Sequence, residues 1–164
     1  MRELRWAVPE TYIDREYIDV EDDDAIFKKA AHAANCFGGR YREALGKAFI
    51  WHPSEEGKTI WLPQFFYNSA WDNRLSPDGT TVTEISRDLK KAKEHIDIHL
   101  KGDKKQCANR IIIGHFRSDR IHLGPFPYGY RFVGEFKFDA KKTNYERGCV
   151  WTRESKRADT YQYT

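Results

Sequence analysis

Residues 130–139, YRFVGEFKFD, can be read in two ways, and the fold depends on which is right. As a catalytic strand, Glu135-x-Lys137 supplies the acid and lysine of a metal-dependent nuclease. As an amphipathic strand, Tyr130, Phe132, Phe136 and Phe138 form one aromatic face that lines a core or a ligand pocket, because successive strand side chains alternate sides.

The flanking sequence is rich in strands. RIIIGHF (110–116), RIHL (120–123) and CVWTRES (149–155) surround this stretch, and further upstream ALGKAFIW (44–51), KTIWLPQFF (58–66) and TTVTEI (80–85) follow the same pattern. SPDG at 76–79 is a turn signal. Helical spacing appears twice: over 22–37, with Asp residues at its start and Gly38 after it, and over 87–101, with Leu89, Ala92, Ile96 and Leu100 on one face and Gly102 as the stop. Residues 1–20 read as an N-terminal arm or short strand. The chain is therefore expected to be a single α+β domain over 1–164, with strands in 41–86 and 109–155 and two packed helices. Short turns imply a mostly antiparallel sheet, and Gly46, Gly114 and Gly134 inside strands imply bends that curl it into a curved sheet or a small open barrel.

Composition narrows the function. The chain has 164 residues, 15% of them aromatic, with a formal charge of +3. A nucleic-acid partner is permitted by that charge but not required. The acid stretch DREYIDVEDDD (14–24) contrasts with Lys- and Arg-rich segments at 87–120 and 137–157, so folding can gather one basic face. Cys36, Cys107 and Cys149 are widely spaced without a CxxC, as reduced thiols of a cytoplasmic protein would be. No apolar run reaches the length of a membrane span.

Each chemical motif has a plainer reading beside it. A nuclease of the PD-(D/E)xK type would use Asp119, Glu135 and Lys137 around Mg²⁺. However, acid-x-Lys is common on any half-exposed strand, and the only Pro-Asp pair, Pro77-Asp78, lies in a turn far upstream. His95 and His99 are four apart on one helical face, a spacing that suits Zn²⁺, but no third ligand is evident in the sequence. No phosphate loop or nucleophile triad appears, so neither a cofactor nor a bound metal is expected. The segment IWLPQFFYNSAWDNRLSPDG (60–79) places Trp61, Phe65, Phe66, Tyr67 and Trp71 beside Asn68, Asp72, Asn73 and Arg74. Aromatic planes that stack a ring, with polar groups for its edge, are what a nucleobase pocket needs.

Taken together, FGGRYREALGKAFIW, IWLPQFFYNSAWDNRLSPDGTTVTEIS, RIIIGHF, GYRFVGEFKFD and NYERGCVWTRES resemble a domain of the PUA, SRA and YTH-like group, over about residues 35–160. Such domains are curved barrels that read modified bases and occur appended to bacterial restriction enzymes and helicases. Trp71, Asn73, Ser76, Asp78, Glu84, Tyr130 and Trp151 match the recurrent marks of that group. The resemblance implies a module that binds DNA or RNA, with a nuclease or helicase partner acting in trans, and it favours the barrel-strand reading of residues 130–139 over catalysis. Trp71, Asn73, Tyr130 and Trp61 are then the expected base pocket. Arg110, Arg117, Arg120 and Lys137 are the expected phosphate contacts, Asp78-Gly79 a turn and Trp151 core. The nuclease built on Asp119, Glu135 and Lys137 and a non-catalytic protein-interaction factor remain the alternatives.

Overall fold

A computed structural model describes residues 5–42, 45, 48–118, 123 and 126–163. Asp119, Arg120, His122 and Gly46 lie outside the described residues. The elements run α1 (Pro9–Arg15), β1 (Tyr17–Asp19), β2 (Ile26–Phe27), α2 (Ala30–Ala34), β3 (Phe49–Trp51), β4 (Lys58–Trp61), β5 (Trp71–Leu75), β6 (Thr81–Ser86), α3 (Leu89–Leu100), β7 (Asn109–Arg117), β8 (Tyr128–Phe138), β9 (Cys149–Ser155) and β10 (Arg157–Asp159).

Among the described residues the main sheet has eight strands in the order β3-β4-β7-β8-β9-β6-β5, with β2 added beside β8. Every pairing in it is antiparallel except β4–β7, where Lys58 runs alongside Asn109. The sheet is open, and the fold is α+β, as expected. A separate ribbon pairs β1 with β10.

The central strands are buried on both faces, which explains the unbroken Ile111-Ile112-Ile113 run. Ile111 and Ile113 join one core cluster with Phe27, Ile60 and Phe132, while Ile112 joins a second with Trp61, Val133, Phe136 and Trp151. β8 departs from the simple aromatic face expected of it. Gly134 sits at φ +128°, a backbone state that side chains disfavour, and an added Cβ would lie 2.5 Å from Arg153 Cδ. The β7–β8 register shifts between Ile112 and Ile113, and the β8–β9 register between Glu135 and Phe136. A one-residue slip sends side chains to the opposite face. Tyr130 and Phe132 therefore pack in the first cluster, Phe136 and Phe138 in the second.

Two early segments differ from expectation. The arm over 1–20 contains helix α1, begun by Pro9 at its first position, where a missing N–H costs nothing. The helix expected over 22–37 shrinks to the five residues of α2. Asp22 does not cap it. Its carboxylate instead pairs with Arg15 and accepts the Asp19 amide at 2.8 Å. Ile26 and Phe27 are drawn out to pair with Arg131 and Tyr130, which places them in different core clusters, a split that strand geometry allows. α3, by contrast, occupies Leu89–Leu100 inside the expected span, with Asp88 accepting the Lys91 amide as N-cap.

Candidate nucleic-acid interface

An open cleft of about 970 Å³ lies along β5 and the turn that follows it. Phe65, Phe66, Tyr67, Trp71 and Phe116 give it aromatic walls, and Arg74, Arg87, Arg131, Arg153 and Lys156 give it positive charge. Local chemistry sets its shape. Asn68 Oδ1 accepts the amides of Ala70 and Trp71 at 3.0 and 2.7 Å, an Asx turn that starts β5 at Trp71. Asp78 Oδ1 accepts from the Ser76 hydroxyl, the Thr80 amide and the Thr80 hydroxyl, and these bonds, led by Ser76, hold its carboxyl down at about 2. Gly79 completes the turn at φ +75°. Asp78-Gly79 is thus turn chemistry.

On β5, Trp71, Asn73 and Leu75 share a face and stand opposite Ser86, Glu84 and Val82 of β6. Trp71 is half-buried, its ring edge-on to His95 with centroids 4.9 Å apart. Asn73 Oδ1 is buried and has no hydrogen-bond partner among the described residues. On the opposite face Arg74 grips Asp72 through two 3.0 Å bonds, which hold the Asp72 carboxyl below its ordinary range. At the rim, Arg87 lies over the exposed Tyr67 ring at 4.8 Å and donates to Asn68 O at 2.8 Å.

Beside the cleft runs an aromatic column. Tyr130 stacks on His115 with centroids 4.1 Å apart and planes within 9°. Phe66 meets His115 edge-on at 5.0 Å, and exposed Arg117 covers Phe66 at 4.3 Å. Burial, then the nearby Arg117 charge, lowers the His115 pKa, so its ring stays neutral in the stack.

Of the residues expected in the base pocket, Trp71 and Asn73 come together in the cleft. Tyr130 does not face them, because β2 pairing and the His115 stack fix it in the column. Trp61 is buried in the second core cluster. Among the expected phosphate contacts, Arg117 and Lys137 are exposed. Arg110 is not: its guanidinium is enclosed, 3.9 Å from the Trp151 ring centroid and 4.8 Å from that of Trp61, and donates to buried Glu84 at 3.1 Å. An arginine committed to a buried carboxylate is unavailable to solvent phosphate. Sequence reasoning missed Arg131, Arg153 and Lys156, which strand registers far apart in the chain bring to the cleft.

The alternative acid-x-Lys pair is also divided. Glu135 accepts from Lys58 Nζ at 2.7 Å, and Lys58 reaches Glu55 as well at 2.9 Å, while Lys137 points to solvent. Among the described residues no helix is long and apolar enough to cross a membrane.

A curved α+β sheet that carries an aromatic cleft with a basic rim defines a nucleic-acid-binding module of the base-reading class. The family model of the SET and RING associated domain, SRA, matches residues 11–160, and the chain belongs to that family, whose members bind DNA. The solved structure of the 5-hydroxymethylcytosine-specific restriction enzyme AbaSI superposes with a TM-score of 0.80 at 28% identity, covering 100% of this chain and 50% of that one. The chain thus spans half the length of that enzyme. A search among curated proteins finds no match.

Proposed function

We propose that the cleft receives a modified cytosine swung out of duplex DNA, with Trp71 as a stacking wall and Asn73 reading the base edge. The observation that carries this is Asn73, which lines the aromatic cleft and whose Oδ1 is a buried acceptor with no partner among the described residues, so that a turn of its amide would present it to a base. An unmet buried acceptor costs about 1–3 kcal/mol, a penalty that a ligand donor removes. Cytosine brings its exocyclic amine and a 5-hydroxymethyl group adds a hydroxyl, both donors, whereas thymine offers a carbonyl at the corresponding edge. AbaSI is specific for 5-hydroxymethylcytosine, and the same modification class is the best first ligand here.

Arg87, Arg117, Arg131, Arg153 and Lys156 would hold the phosphates that fix register, while the cleft supplies selectivity. Cleavage would come from a nuclease acting with this module, since Glu135 is tied to Lys58. The test is binding to duplexes that differ at one position, cytosine, 5-methylcytosine or 5-hydroxymethylcytosine, with a fluorescent base analogue opposite or beside it to report flipping. Preferential binding of a modified duplex with an unstacking signal is expected. Equal affinity for all three without unstacking would overturn the reading.

A further inference from the structure

The helical pair His95 and His99 lacks a third ligand in the sequence, but the fold supplies two. β6 brings Glu84 and β9 brings Cys149, and one ligand atom from each of the four residues falls within 4.8 Å of every other. The geometry points to a zinc-class site in which Glu84, His95, His99 and Cys149 hold one borderline-soft divalent cation, for which Zn²⁺ is the best fit.

His99 is the strongest indication. Its side chain is fully buried, and its Nδ1 lies 2.9 Å from the His95 carbonyl one turn back, so Nδ1–H donates there and Nε2 keeps its lone pair. That Nε2 is buried without a hydrogen-bond partner among the described residues and lies 4.0 Å from Glu84 Oε1. A backbone carbonyl that fixes the tautomer while the other nitrogen faces the cluster is the usual outer-shell arrangement of metal-binding histidines. His95 stands 3.8 Å from Glu84 Oε1 through Nε2 and 3.7 Å from Cys149 Sγ through Nδ1, and offers one of the two nitrogens. Glu84 is itself held in place through Oε1, which accepts from Arg110 at 3.1 Å and from Trp151 Nε1 at 3.0 Å, and this leaves the lone pairs of Oε2 for a cation.

The separations fit an unfilled tetrahedron. Zn–N and Zn–O bonds of about 2.0 Å and a Zn–S bond of about 2.3 Å put ligand atoms roughly 3.3–3.5 Å apart, so a separation at the 4.8 Å limit closes by roughly 1.3–1.5 Å on binding, within reach of side-chain rotation. Thiolate with imidazole selects zinc over magnesium or calcium. Charge balance is also workable. Ligation expels the Cys149 thiol proton to solvent, so thiolate and the Glu84 carboxylate together face the dication and Arg110, and the cluster keeps one net positive charge, the sign that the Arg110 guanidinium contributes. The site would tie α3 to β6 and β9 directly behind Trp71, whose ring touches His95, and so stiffen the cleft wall whatever base it receives.

The test uses the full chain, stripped by chelator and titrated with Co²⁺ and then Zn²⁺. One equivalent of Co²⁺ should give tetrahedral visible bands with a thiolate charge-transfer band, all displaced by Zn²⁺, and Zn²⁺ should raise the melting temperature. The Cys36→Ser/Cys107→Ser double variant, which keeps Cys149 alone, should retain the charge-transfer band. Cys149→Ser should lose it, and His99→Gln should weaken binding more than about 100-fold, since outer-shell partners alone are worth 10–100-fold. Absence of the bands in the unmodified chain would overturn the site, as would their loss in the double variant. The second comparison stands even if Cys149→Ser does not fold.

Discussion

Asn73 and Glu84 stand opposite each other in the β5–β6 ladder, on the same face of the sheet, yet their polar atoms are differently served. Glu84 takes donors from Arg110 and Trp151, while Asn73 Oδ1 takes none among the described residues. Replacing Asn73 by Ala should therefore leave folding stability unchanged or slightly higher, because it removes an unmet polar group. Discrimination between modified and unmodified duplexes should fall by about 1–3 kcal/mol. Paired melting curves and binding isotherms on the same sample check both halves.

Trp71→Ala should separate binding from stability. Base stacking on an aromatic ring is worth about 1–3 kcal/mol, roughly 5- to 150-fold in affinity, and Trp71 is only half-buried. Trp151→Ala is the contrast. That ring is fully enclosed and donates to Glu84, so its truncation should cost about 3–5 kcal/mol of folding stability. A large melting drop for Trp71→Ala with intact affinity would remove it from the cleft wall.

The arginines should divide in the same manner. Arg117→Ala should weaken binding to all duplexes alike and lower the slope of log K against log salt by about one. Arg110→Ala should act on the fold, leaving Glu84 as an unpaired buried charge at a cost of about 3–5 kcal/mol. Isotherms across a salt series and chemical denaturation distinguish the two.

Acid should loosen the β3–β4 turn. His52 Nδ1 accepts the Ser54 and Glu55 amides at 3.0 and 2.9 Å, and burial lowers its pKa from the ordinary 6.5. The unfolded chain then takes up the proton first. The stabilising contribution is complete above about pH 6.5 and is lost as pH falls toward the lower folded value. Amide exchange of Ser54 and Glu55 should speed up over that interval, and His52→Gln should flatten the dependence.

Much of this was legible in the strand periodicities and turn signals. SPDG, the triple isoleucine and the amphipathic 87–101 stretch each dictate local structure without help from distant residues. The early helix failed because Ile26 and Phe27 had a better use against β8, a non-local pairing that helical periodicity cannot register. The split of the β8 aromatics between two core clusters hinges on Gly134, whose bulge resets the alternation. For the cleft, Trp71 and Asn73 were visible as an aromatic–amide pair close in sequence. The burial of Arg110 was not, because its partner Glu84 and both flanking tryptophans arrive on other strands.

The parallel seam between β4 and β7 has one more effect. With Lys58 lying alongside Asn109, the chain crosses from β4 to the far edge of the same sheet, builds β5, β6 and α3 there, and returns to the strand beside β4. The wall of the reading surface that carries Trp71 and Asn73 is therefore a detour anchored at two neighbouring points, while Phe116, Arg131 and Arg153 line the cleft from the supporting strands. The entropy of closing a flexible detour grows slowly, by about 0.6 kcal/mol for each doubling of its length. The frame can accordingly tolerate insertions and exchanges within that excursion, so preference for one base modification over another can drift there while the strands that support it stay unchanged.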